Sequence, residues 1–376
     1  MEWWFHLPPL MWCLWVFVLG LGVGSFLNVL IARLPFEKSI VWPNSRCFTC
    51  LQPIRFWDNL PILGWLRLRG KCRRCGASFS SRYLWVEIGT GFVFLLLFVV
   101  DCLSQATDGP GGLSPWHHTP GLKFSYVATN ALPPAAVCMT WAIHACLASL
   151  LIAAAVIDAK HQIIPTQITY TGTLIGIVAS TLFPWPWPTT DVANLAKIPV
   201  TLAWILPEAI EKLPTGVMVW PFWGPTPSWA PLGSWQLGLS SSLIGAAFGM
   251  LMVRAVKFLF EVGMGRDALG LGDADLLMMA GAFLGWQVVL IGFFAGAFAG
   301  LLLKIPTMLL ETMNQREVNR EFAFGPGLAL GIGITWFAWP WINNGARVLF
   351  EPVALGILGI AMGGGLLIAG ILLRRK

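Results

Sequence analysis

The chain has 376 residues, of which 56% are hydrophobic and only 11% charged, with a formal net charge of +6. Such a composition excludes an ordinary soluble globular protein. Several apolar runs reach the ~20 residues needed to cross roughly 30 Å of hydrocarbon.

The first run, residues 10–31, has no basic residue before it and no small-residue cleavage site after it. It reads as a retained N-terminal transmembrane helix spanning residues 1–32, not a removable signal. Gly20 and Gly24 form a small-xxx-small pair, the mark of close helix packing in membranes. Asn28 on the same apolar helix needs an interhelical hydrogen bond.

Residues 33–84 hold Arg33, Lys38, Arg46, Arg55, Arg67, Arg69, Lys71, Arg73, Arg74 and Arg82. Beside membrane helices the positive-inside rule places this segment in the cytoplasm, and no nucleic-acid partner is expected. Cys47-x-x-Cys50 and Cys72-x-x-Cys75 lie within it, 21 residues apart. Two such knuckles supply four thiolates to a tetrahedral zinc, and the reducing cytoplasm disfavours disulfides. Four cysteines leave no open coordination position, so the zinc is structural. Lys71, Arg73 and Arg74 are expected to lower the thiol pKa values. Cys13, Cys102, Cys138 and Cys146 follow no ligand spacing and read as buried small apolar residues.

Residues 85–376 form the remaining domain. Runs near 85–101, 134–157, 166–183 and 236–260 alternate across the bilayer, with external loops near 102–133 and 184–235. Those loops carry few basic residues, and no catalytic role is expected for His117 or His118. The run from Asp275 to Lys304 is too long for one upright helix; a double crossing with a break near Gly281, Gly285 and Trp286 is expected. Runs near 323–340 and 353–373 complete an all-α polytopic membrane protein of about eight to nine transmembrane helices.

Two aspartates stand where a membrane protein can least tolerate them. Asp158 closes the apolar run 148–157, and Asp273 ends Gly270-Leu271-Gly272-Asp273 before the run 276–285. A carboxylate at such a position is a functional-site hypothesis by default. Capping accounts for Asp273 alone, since it follows two glycines and precedes a helix. Asp158 lies at a helix C-terminus, where the macrodipole disfavours it; an ion pair with Lys160 or His161 is the competing structural reading. Pro165, Gly270 and Gly272 give both aspartates irregular backbone beside which an extended peptide can lie. Placed on the cytoplasmic side together, the two carboxylates suit the shared-proton chemistry of an intramembrane aspartic protease. A proton-coupled carrier and a non-enzymatic zinc-ribbon anchor are the alternatives, but no internal repeat supports a carrier.

The chain resembles the bacterial type IV prepilin peptidases, membrane aspartic proteases of the Gly-x-Gly-Asp class. The resemblance rests on Gly24-Ser25-Phe26-Leu27-Asn28-Val29 with Arg33-Leu34-Pro35, the cysteine pairs enclosing Asp58-Asn59-Leu60-Pro61, and Gly70-Lys71-Cys72-Arg73. Ser81-Arg82-Tyr83, Glu87, Asp158 with Ile164-Pro165, residues 268–273, and Phe324-Gly325-Pro326 with Leu328-Ala329 follow in order. It implies Asp158 and Asp273 as catalytic residues, with Gly270, Gly272, Pro165, Gly325 and Pro326 in support. It further implies removal of basic leaders from prepilins or pseudopilins of type IV pilus and type II secretion systems. Cleavage after glycine at the cytoplasmic face of the inner membrane is the expectation. Methylation of the new N-terminus with S-adenosylmethionine, associated with the cysteine-bearing segment, is implied by the resemblance alone. Glu87 is implied to support that activity, beside its helix-start role.

Three departures stand out. Asp275 occupies the position where the family commonly has lysine, and Thr166 follows Ile-Pro where an acidic or amide residue is usual. The loop near 184–235 and the final helix look like additions. Asp267 or Asp275 is expected to help hold a leader's lysines.

Overall fold

The computed structural model describes residues 7–103, 135–183, 228–230, 234–264, 270–313, 323–350 and 352–374. The expected loops near 102–133 and 184–235, with His117 and His118, lie almost entirely outside the described residues, as does Asp267. Among the described residues there are nine α-helices and no named strand. They are α1 (Leu7–Arg33), α2 (Leu63–Leu68), α3 (Arg82–Phe98), α4 (Ala135–His161), α5 (Thr166–Leu182), α6 (Trp235–Met264), α7 (Leu271–Met313), α8 (Gly325–Ala346) and α9 (Pro352–Arg374).

Five of them, α1, α3, α4, α6 and α7, are long and apolar enough to cross a membrane. Large hydrophobic side chains on their outer faces, such as Leu14, Phe92 and Phe298, are exposed and suited to lipid. The described chain falls into two compact units, one holding everything up to His161 and the other everything from Gln162 onward.

In the first unit α1 packs along α3, and α4 packs against both. The expected glycine packing is present. A Cβ on Gly20 would stand 2.8 Å from Gly91 Cα, and one on Gly24 would stand 2.7 Å from Glu87 Cα. Asn28 makes its interhelical bond, donating from Nδ2 to the Tyr83 carbonyl at 2.9 Å. Beyond Phe98 the chain takes one π-helical turn, Val99–Leu103. There Asp101 meets His144 of α4 through a buried 2.8 Å contact that sequence patterning did not anticipate.

In the second unit α7 packs against α5, α6 and α8, while α9 lies along α6. The expected break occurs at Gly285, whose φ of 79° and ψ of 170° lie outside the helical region. It divides α7 into a short first leg of about 20 Å and a longer second leg. Close to this break the carbonyl of Ala282 accepts hydrogen bonds from Ser242 Oγ at 2.8 Å and Ser180 Oγ at 3.2 Å. Three helices meet at that oxygen.

The expectation for the four cysteines outside the two pairs needs correction. Only Cys102 is buried; Cys13 and Cys146 are half-buried and Cys138 is exposed. On a helix facing lipid an exposed thiol costs no more than any other small apolar group, so spacing alone did not fix burial.

Candidate functional site

The segment between α1 and α3 folds around its two cysteine pairs. Each pair closes a knuckle of the same design. Cys47 N donates to Gln52 O and accepts at its carbonyl from Leu51 N, while Cys72 does the same with Ala77 and Gly76. The residue after each second cysteine turns to positive φ: Leu51 at 56° and Gly76 at 72°. Isolated antiparallel bridges, Arg46 with Pro53 and Lys71 with Ser78, close the two turns.

The four Sγ atoms lie within 4.8 Å of one another, with Cys47–Cys75 at 3.8 Å and Cys50–Cys72 at 4.0 Å. Sulfurs at about 2.3 Å around a tetrahedral zinc stand about 3.8 Å apart. The four cysteines thus form a group able to hold a metal ion and compatible with zinc.

Backbone amides, not cations, tune these thiols. The Cys50 amide, then that of Thr49, draws Cys47 down to about 6. The amides of Cys75 and Arg74 lower Cys72. Cys75 is pushed up to about 11: the Ala77 amide favours its thiolate, but burial and the three neighbouring sulfurs outweigh it. The expected action of Lys71, Arg73 and Arg74 side chains is therefore corrected. Arg73 turns away to clamp Asp58, donating from Nε at 2.8 Å and from a terminal nitrogen at 2.5 Å. That hydrogen bond holds the Asp58 carboxyl below the usual carboxylate range.

Beneath the knuckles the first unit holds a half-open cavity of about 490 Å³. Asn28, Trp42, Phe48, Asp58, Trp65 and Glu87 are among its lining residues. The indole N–H of Trp65 is buried without a hydrogen-bond partner. Glu87 is 9% exposed, and its Oε2 accepts from the Ile62 amide at 2.8 Å. Ile62 is a β-branched residue at φ 59°, a strained backbone that aims its N–H at this carboxylate. Ser25 and Asn28 of α1 present polar side chains to the same group.

The cavity was not visible in the sequence. Asn28 and Glu87 were singled out there, but nothing announced that an amide 25 residues before Glu87 would join their cluster.

Asp158 lies in the last turn of α4, 6% exposed, in the first unit. The helix ends as Gln162 takes a φ of 54°, and Pro165 starts α5 from an extended conformation. Asp273 lies in the first turn of α7, 7% exposed, in the second unit. Its amide bonds to Gly270 O at 3.3 Å. Within the second unit the two motifs meet: a Cβ on Gly272 would stand 3.0 Å from Ile164 Cβ. Asp275 is buried as well, with Oδ1 unpartnered and Arg254 of α6 acting on the carboxyl through space. Gly325 and Pro326 open α8, where the Phe324 ring packs edge-on against Phe293.

The sequence has relatives among known proteins. Residues 18–100 match the family described as the bacterial peptidase A24 N-terminal domain. Residues 145–210 and 211–305 match the type IV leader peptidase family. A prepilin leader peptidase/N-methyltransferase of Myxococcus xanthus is 31% identical over 350 residues, covering 92% of this chain and 78% of that protein. Proteins of the same name from Stutzerimonas stutzeri and Pseudomonas aeruginosa are 28% and 26% identical, covering 89% and 91% of this chain and 92% and 95% of their own. No solved structure matches significantly. The matches support neither the carrier nor the anchor.

Proposed function

The chain belongs to the type IV leader peptidase family, and from that premise we propose that it is a prepilin leader peptidase and N-methyltransferase of the bacterial inner membrane. It spans the membrane several times and works at the cytoplasmic face. Its substrates are prepilins and pseudopilins, amphiphiles with a basic leader in water and an apolar helix in lipid.

Asp158 and Asp273 are the catalytic carboxyls, and in aspartic-protease chemistry one is ionised while the other keeps its proton. The ionised carboxylate takes a proton from water, whose oxygen adds to the carbonyl carbon of the glycine. The protonated carboxyl donates to the carbonyl oxygen. Collapse breaks the carbon–nitrogen bond, and the nitrogen takes up a proton as it leaves as a new N-terminal amine. The observation that carries this reading is the seat of Gly272 on Ile164, which joins the motif before Asp273 to the one after Asp158. Gly270, Gly272, Pro165, Gly325 and Pro326 support the backbone there. Asp267 and Asp275 attract the leader's lysines, so neutralising both should weaken leader affinity and flatten its salt dependence.

Cys47, Cys50, Cys72 and Cys75 hold a structural zinc that fixes the two knuckles. S-adenosylmethionine, when bound, supplies a methyl group activated on a positively charged sulfur. The cavity under the knuckles fits such a donor. Its volume falls in the range of small-molecule sites, roughly 300–1,000 Å³. Trp42, Phe48 and Trp65 offer aromatic faces to a cation, and the orphaned Trp65 N–H offers a hydrogen bond.

The test uses purified protein in detergent and a peptide with a lysine-rich leader, Gly-Phe, and an apolar segment. Mass spectrometry should find cleavage after glycine in the parent protein and none in Asp158→Asn or Asp273→Asn. Intact peptide with a folded parent protein, across several leaders, would overturn the assignment.

A further inference from the structure

Glu87 is a buried carboxylate with no cation beside it. No arginine, lysine or histidine pairs with it among the described residues, and none is among the groups acting on it. Three of the four other charged residues lining the cavity have partners of their own, and the fourth, Arg46, is not among the groups acting on Glu87. Asp58 is clamped by Arg73, Arg33 donates to the carbonyls of Ser39 and Pro43, and Lys38 lies over the Phe36 ring. A buried carboxylate is costly unless it is paired. Here three neutral donors hold its orientation and leave its charge unmatched: the Ile62 amide, Ser25 and Asn28.

An ionised carboxylate offers about four acceptor sites, so one remains for an incoming N–H. Its depth is also particular. Glu87 lies five residues into α3, about 7–8 Å along the axis from Arg82. It therefore lies near the start of a candidate membrane span.

We propose that Glu87 receives the amine exposed by leader removal: its carboxylate binds the α-ammonium of the mature chain and takes one proton from it. This rests on the reading of the chain as a methylating peptidase. An ammonium has no free electron pair and cannot accept a methyl group. One proton moves from nitrogen to a Glu87 oxygen and frees that pair. The pair forms the new bond to the donor's methyl carbon as the carbon–sulfur bond breaks, leaving a neutral thioether and a secondary ammonium. An ammonium suits the carboxylate better than a sulfonium does, because it brings N–H donors and a sulfonium brings none. The cationic donor is left to the aromatic walls.

The experiment bypasses cleavage. A peptide beginning at phenylalanine, with a free amine or N-acetylated, is added to full-length parent protein, Glu87→Gln and Glu87→Asp. Glutamine keeps an acceptor for the Ile62 amide and removes the charge. The parent protein should bind the free-amine peptide at least about tenfold more tightly than the acetylated one, the ratio expected of one charge-assisted hydrogen bond. Glu87→Gln should lose that preference and methylate at least about 100-fold more slowly, as loss of a general base predicts. Glu87→Asp should keep part of both, and S-adenosylhomocysteine should bind all three proteins alike.

An amine preference unchanged in Glu87→Gln overturns the proposal. So does weakened binding of S-adenosylmethionine with amine binding intact, which would assign the carboxylate to the donor. A parent protein that neither binds S-adenosylhomocysteine nor methylates refutes the methylating reading instead, and the amine preference still decides the role of Glu87. Should both variants unfold, the parent protein alone decides. Its melting temperature must rise more with the free-amine peptide than with the acetylated one, and equal shifts overturn the proposal.

Discussion

Gly272 lies against Ile164 so closely that a Cβ on the glycine would stand 3.0 Å from the isoleucine Cβ. The turn before Asp273 is thereby set by the residue that precedes Pro165. Gly272→Ala forces one of the two to yield by a few tenths of an ångström. Displacements of this kind near reacting groups cost on the order of tenfold to 100-fold in rate. Peptide cleavage should fall by that factor with little change in melting temperature. Ile164→Ala in the same chain should restore part of the loss; a double variant no better than the single one would show that the contact is not the cause.

The proposed catalytic roles of Asp158 and Asp273 predict non-additive behaviour. Asp158→Asn and Asp273→Asn together should leave no less residual cleavage than either alone. Initial rates measured at long incubation with concentrated enzyme would reveal a further multiplicative loss if the carboxylates acted independently.

Two neighbouring glycines on α1 offer an internal control. A Cβ on Gly24 would stand 2.7 Å from Glu87 Cα, whereas one on Gly22 would meet nothing within 4 Å. Gly24→Leu should push α1 from α3 and cost about 1–3 kcal/mol, the usual range for overpacking. Gly22→Leu should be close to neutral. Thermal unfolding in detergent ranks them, and equal losses would contradict the observed helix approach.

Metal removal should act on the knuckles first. With a chelator present, the segment around residues 46–79 should become open to protease, and added zinc should restore protection. Limited proteolysis followed by mass spectrometry reads this directly. Protection that is indifferent to chelator and to Cys50→Ser would argue against a metal tying the two loops together.

Asp58 gives the same segment a pH dependence. Its carboxyl is held low by Arg73, so its contribution to stability is fully present above the unfolded carboxylate value of about 3.9. That contribution is lost as pH falls through the lower folded value. Protease resistance of the segment should therefore hold at pH 5 and decline below about 4. In Asp58→Asn the decline over that window should shrink.

Much of this was readable along the chain because its signals are local. Cysteine spacing disclosed the thiol cluster, small residues four apart disclosed the α1–α3 seam, and glycines in an overlong apolar run disclosed the break in α7. What escaped were partners distant in sequence and set by irregular backbone. No periodicity shows that Ile62 will turn to positive φ and hand its amide to Glu87, or that Asp101 will meet His144. The thiols show the limit most plainly. Nearby arginines suggested their tuning, yet the knuckle's own amides perform it, because the fold points Arg73 at Asp58.

The carbonyl of Ala282 has a wider consequence. In water, a helix interrupted as α7 is at Gly285 would have its exposed oxygens hydrated; in hydrocarbon no such solvent exists. Ser180 and Ser242 supply two hydroxyls in its place, so the chain carries its own permanent hydration at the interruption. A break furnished this way is a fixed corner, not a hinge. It gives the first leg of α7, and Asp273 at its start, a foundation that does not depend on what the second leg does.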